Sequence, residues 1–180
     1  MSTSFLCWRW KQIRYLDLSS CALTEIPEHL CCASSLVSLD LCGNSFETLP
    51  TNFKQLSRLK KLYLESCNML LSLPELPLCL DYIEAVNCKR LHSLPELPSI
   101  QKIRSSELER VFENCSSDPF LDVNFLFTNC LNLNQKAFVN TLADSQRRIQ
   151  LMATTYSEWA TKRKVMRYQQ SVYVYLEVNS

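Results

Sequence analysis

An α/β solenoid, with short parallel strands on its concave face, is predicted by three observations. The residues Leu16, Leu18, Cys21, Leu23 and Ile26-Pro27 recur as Leu39, Leu41, Asn44, Phe46 and Leu49-Pro50, and again as Leu62, Leu64, Cys67, Leu70 and Leu73-Pro74. A weaker fourth copy runs through Ile83, Ala85, Cys88, Leu91 and Leu94-Pro95, and Ile100 with Ile103 begins a degenerate fifth. The step between copies shortens from about 23 to about 20 residues, within the range of short stacking repeats that bury a continuous core only by piling on one another.

This is the leucine-rich-repeat pattern, and residues 13–104 are assigned to it after an N-terminal flank of residues 1–12. In each unit the L-x-L pair forms a short strand whose leucines point into the stack, because side chains alternate faces along a strand. The intervening positions face outward. They are Tyr15, Asp17 and Ser19; Ser38, Asp40 and Cys42; Lys61, Tyr63 and Glu65; Tyr82, Glu84 and Val86; then Lys102 and Arg104. Acidic Asp17 and Asp40 at one end, against Lys102 and Arg104 at the other, predict a polarised surface that orients a partner.

The return segments come in two forms. After the first two Ile/Leu-Pro pairs, Leu30 and Ala33, or Phe53 and Leu56, sit three apart as on the buried side of a short helix. The next two units carry SLPELP instead, at Ser72–Pro77 and at Ser93–Pro98. Two prolines three residues apart do not sustain a helix, since each removes a donor and restricts the preceding residue, so the convex side there is predicted to be extended and the curvature to change.

Composition narrows the function. The chain has 180 residues, 47% of them hydrophobic, and a formal charge of +1, which suits one or two small domains with a core and gives no sign of a nucleic-acid partner. The start, MSTSFLCWRWKQIRYL, interrupts its apolar stretch with Arg9 and Lys11, unlike a secretory signal, and no run approaches transmembrane length. The expected location is therefore the cytosol or nucleus, with no membrane partner. Gly43 is the single glycine, which excludes a P-loop, a dinucleotide fingerprint and a nucleophile elbow together. No cofactor is expected.

The ten cysteines raise disulfide, zinc and catalytic readings. Cys21, Cys67 and Cys88 occupy the repeat position that Asn44 fills, where a small polar side chain serves backbone groups at the turn after each strand. No C-x-x-C pair starts a zinc site, so structural, reduced thiols are expected and no metal. His29 and His92, both read as exposed, are the only candidates to partner a cysteine in catalysis, and that reading is set aside.

The final third differs in kind. Residues 105–122 lose the repeat, contain NCSSDP and read as a connector with one helical turn over Glu107–Glu113. DVNFLF is an extended apolar strand entering a polar turn. From Asn134, the residues Phe138, Leu142, Ile149, Met152, Tyr156 and Trp159 lie on one stripe of an amphipathic helix of roughly 30 residues, read as docked on the solenoid end rather than on a membrane or calmodulin. The cluster Lys162, Arg163, Lys164 and Arg167 favours the negative end of that helix, with acidic lipid or RNA as the alternative contacts. SVYVYLEV then alternates as one strand.

The repeat, the run SLPELP and above all FLFTNCLNLNQKAFVNTLADSQRRIQLMA resemble the end of the repeat region and the post-repeat segment of plant intracellular immune receptors. These carry an N-terminal Toll/interleukin-1-receptor domain, a nucleotide-binding domain and leucine-rich repeats. The resemblance spans roughly residues 13–180 and implies that 123–180 begin a C-terminal jelly-roll and Ig-like domain. The sequence stops before that family's Pro-Gly-x-Glu-Ile-Pro segment, as a truncated or separately encoded piece would.

What the resemblance implies is recognition. The repeats would bind a pathogen effector or other domains of a receptor, through Tyr15, Asp17, Ser19, Ser38, Asp40, Lys61, Tyr63, Glu65, Tyr82, Glu84, Lys102 and Arg104. Oligomers would form only through a full-length receptor. The alternatives are a substrate-presenting repeat adaptor or a regulatory decoy, both without catalysis. The family's NAD-cleaving activity would belong to a full-length parent, since no residue of that site maps onto this chain.

Overall fold

The computed structural model describes residues 10–77, 79–94 and 124–133. Five three-residue strands, β1 (Tyr15–Asp17), β2 (Ser38–Asp40), β3 (Lys61–Tyr63), β4 (Tyr82–Glu84) and β5 (Asn124–Leu126), form one parallel sheet in the order β1-β2-β3-β4-β5. The register aligns the repeats position for position: Leu16, Leu39, Leu62, Ile83 and Phe125 face one another across the sheet.

That line of side chains is the core. Leu39, Leu62 and Ile83 are fully buried, as are Leu41, Leu64 and Ala85 one alternation further on. Each such leucine contributes about 1.5–3 kcal/mol relative to exposure, and none finds that burial without its neighbouring repeat. The first repeat shows the converse. Leu16, Leu18 and Leu23, with Trp10 and Ile13, are only partly buried, because nothing among the described residues stacks on β1's outer edge.

The return segments follow the sequence reading in the first two units, in a tighter form. Short 3-10 helices span Glu28–Cys32 and Phe53–Gln55, dropping Leu30, Phe53 and Leu56 into the core. The third unit, over Leu73–Pro77, carries no helix, and a second set of parallel bridges links Thr48 to Ser72 and Ser72 to Ser93.

β5 is the main departure. The slot beside β4 is filled by Asn124–Leu126, and not by the degenerate unit at Ile100 and Ile103. β5 starts about two repeat lengths after β4. The reason is chemical: Phe125, Phe127, Cys130 and Leu133 reproduce the spacing of Ile83, Ala85, Cys88 and Leu91, whereas the unit at Ile100 supplies no polar turn residue of that kind. Phe125 and Phe127 are both 6% exposed. The described FTNC segment thus adds a fifth parallel strand to the sheet, with the turn contact of a repeat.

Lys102 and Arg104, the connector 105–122, the helix predicted from Asn134, the basic cluster and the strand at SVYVYLEV lie outside the described residues.

Candidate protein-binding face

The face is built by a turn that recurs after every strand. Three residues beyond each strand end, the backbone enters the left-handed region at Ser20, Gly43, Ser66, Asn87 and Asn129, with φ of 53°, 67°, 59°, 60° and 58°. Serine and asparagine tolerate this conformation better than bulky or β-branched residues do. At Gly43 an added Cβ would also come within 3.0 Å of the Ser20 hydroxyl, a crowding that glycine avoids.

The residue after each left-handed position locks neighbouring repeats together. Asn44, the one buried polar residue among those described, donates to the Leu18 and Leu41 carbonyls at 2.9 and 2.8 Å and accepts from the Leu23 N–H at 3.0 Å. The Cys67, Cys88 and Cys130 thiols donate to the Leu41, Leu64 and Ala85 carbonyls at 3.2, 3.1 and 2.9 Å. Each serves the carbonyl of the second core residue in the preceding unit. Cys21, in the first repeat, donates to the Ser19 carbonyl of its own turn. The structural role read for this position holds.

Cys67 and Cys88 are poor nucleophiles, whereas the hydrogen bond with Cys88 holds the Cys130 thiol below its ordinary range. Burial pushes Cys67 up to about 11, and the Cys130 thiol together with burial holds Cys88 protonated. Cys21, Cys31, Cys42, Cys67, Cys88 and Cys130 are free, whereas Cys32 is disulfide-bonded and corrects the expectation of wholly reduced thiols. Cys31 points into the core while its neighbour Cys32 is only half-buried, so their adjacency gives them opposite environments. His92 is exposed as expected, but His29 is half-buried. Among the described residues no three His, Cys, Asp or Glu side chains are grouped to hold a metal ion, and no helix is long and apolar enough to cross a membrane.

The pairing brings the predicted outward residues into two rows. One runs Tyr15, Ser38, Lys61, Tyr82, and the other Asp17, Asp40, Tyr63, Glu84. Ser19 and Glu65 follow just beyond β1 and β3. Tyr15 is 73% exposed, while Tyr63 and Tyr82 are half-buried by each other, with ring centroids 5.3 Å apart and planes tilted by 48°. Tyr82 donates its phenol to Glu84 Oε2 at 2.9 Å; desolvation and that carboxylate push it up to about 12, so it stays a donor at neutral pH. Asp17 accepts from the Ser19 N–H and Asp40 from the Cys42 N–H, both at 2.9 Å, and the contacts with Ser19 hold Asp17 below the usual carboxylate range. These turns fix the direction of both aspartates.

Sequence reasoning missed Asp81. It stands just before β4, where burial pushes its carboxyl up to about 6 against the opposing pull of Lys60 and Lys61. A carboxylate at a position held by Arg14, Val37 and Lys60 in the other units was its only sequence signal.

The leucine-rich-repeat family model matches residues 11–70. Among curated proteins, the chain is 37% identical over 138 residues to Disease resistance-like protein DSC1 of Arabidopsis thaliana, covering 77% of this chain and 10% of that one. It is 46% identical over 67 residues to TMV resistance protein N of Nicotiana glutinosa, covering 36% and 6%. It is 31% identical over 164 residues to Disease resistance protein RPS4B of Arabidopsis thaliana, covering 79% and 13%. The chain thus spans about a tenth of the length of such relatives. With its repeats stacked in one parallel sheet, it is homologous to the leucine-rich-repeat region of plant disease resistance proteins of the Toll/interleukin-1-receptor, nucleotide-binding, leucine-rich-repeat class.

Proposed function

We propose that this chain is a protein-recognition module of plant innate immunity, whose concave sheet face binds a pathogen effector or another domain of a receptor. The observation that carries the reading is the Tyr63–Tyr82 pair, two rings in contact on adjacent strands in the middle of the outward array. Aromatic side chains that lose little freedom on binding and sit where water is most easily excluded dominate many interfaces. Similarity to disease resistance proteins supports an immune role for that surface.

In this reading the module works without catalysis, in the cytosol or nucleus, and any NAD cleavage belongs to a full-length receptor.

An interaction screen of the 180-residue chain against effectors, and against the nucleotide-binding portion of a related resistance protein, tests it. Tyr63→Ala and Tyr82→Ala should each weaken the complex by about 1–3 kcal/mol with little change in melting temperature. Lys54→Ala, on the convex side, should leave it unchanged. Loss of binding on convex substitution, with the tyrosine variants unaffected, would overturn the reading.

A further inference from the structure

We infer that the partner presents an extended basic segment, whose arginine or lysine side chains seat on the Tyr63–Tyr82 pair between the carboxylates of Asp40, Glu65 and Glu84. This rests on the concave face being the binding face, and it adds the chemistry of the occupant. The aromatic pair is the starting point. Tyr63 stands in the same cross-strand row as Asp40 on one side and Glu84 on the other, and Glu65 follows two residues along its own chain. Neighbouring strands lie about 4.8 Å apart, so Asp40 and Glu84 bracket the ring within about 10 Å.

An aromatic face flanked by carboxylates suits a guanidinium or ammonium group, which stacks on the ring and donates to the acids beside it. The geometry is held in advance: Tyr82 is tied to Glu84, and Asp40 to the Cys42 N–H, so little side-chain freedom remains to be lost. Lys61 is the sole cation among the outward residues of β1 to β4 and lies in the other row, beside Ser38 and Tyr82. In the row of Asp17, Asp40, Tyr63 and Glu84 the charged side chains are all carboxylates, and the row contains no lysine or arginine. A wholly apolar partner would strip water from these carboxylates without replacing it, and an acidic partner would be repelled. The excess of negative charge is local, since the whole chain carries +1.

The test uses labelled twelve-residue peptides alternating serine with arginine, lysine, glutamine or glutamate, measured by fluorescence anisotropy on the 180-residue chain. The arginine and lysine peptides should bind at least tenfold more tightly than the glutamine peptide, the glutamate peptide least, with the preference shrinking as salt rises. The double substitution Asp40→Asn with Glu84→Gln keeps both hydrogen-bond acceptors and should erase most of that preference, as should Tyr63→Leu, while Glu75→Gln on the convex side should not. Equal binding of all four peptides, or a preference that survives the concave changes, overturns the proposal. Carrying the same variants into the effector screen separates the two claims. If Tyr63→Ala abolishes recognition and the Asp40 and Glu84 changes do not, the basic partner is wrong and the concave face stands; if neither set matters, the face itself is wrong.

Discussion

The Cys130 thiol donates to the Ala85 carbonyl at 2.9 Å across 45 residues of sequence, the same bond that Cys88 makes to Leu64 and Cys67 to Leu41. It is accompanied by Ala85 N–H to Leu126 and Asn87 N–H to Thr128, at 2.8 and 2.9 Å, and by the Asn129 amide on Asn87 Oδ1 at 2.6 Å. The FTNC turn is therefore held on the fourth repeat by the same backbone pairing and thiol bond that join the third and fourth units.

Phe125→Ala should accordingly destabilise the repeats. Removing a ring that is 6% exposed costs about 3–5 kcal/mol in a packed core. Hydrogen exchange at the Ala85 and Asn87 amides should accelerate with it. Unchanged protection at both would show that the segment does not pack on the fourth repeat.

Asn44→Ala leaves the Leu23 N–H and the Leu18 and Leu41 carbonyls without their partner, at a cost of about 2–4 kcal/mol in a denaturant melt. Asn44→Cys should cost less, since a thiol at this position serves the preceding carbonyl in three other units. If the two variants are equally stable, the ladder contributes nothing.

Asp81 gives the molecule a pH response of known sign. Burial pushes its folded carboxyl from the ordinary 3.8 up to about 6, so between those values the folded state binds more proton than the unfolded state. Stability from this group is present below pH 3.8 and is lost as pH rises through about 6. Asp81→Asn should raise the melting temperature at pH 7.5 and change it little at pH 4. A gain confined to pH 4 would contradict the assignment.

Native alkylation should label Cys21 before Cys42. Cys21 is exposed, whereas Cys42 is half-buried and pushed up to about 12 by burial and by Asp40. Cys31 and Cys67, buried and each pushed up to about 11, should react only on unfolding. Mass spectrometry of the labelled peptides reads the order directly.

The sequence by itself determined the stack. The L-x-L spacing decides which side chains alternate inward, so the core residues Leu39, Leu62 and Ile83 and the outward Tyr63 and Tyr82 were legible from period alone. The role of the Asn44 position was legible too, because a fixed turn leaves the same carbonyl to be satisfied in each unit. Tertiary structure alone decided which segment lies beside β4, because strand pairing across a long insertion depends on which chain buries its apolar face and satisfies the turn. Phe125, Phe127 and Cys130 do both. The contact between the Tyr63 and Tyr82 rings and the half-buried carboxyl of Asp81 also arise only when separate repeats come into register, since each joins or desolvates groups through neighbours that the linear period places on a face without fixing their approach.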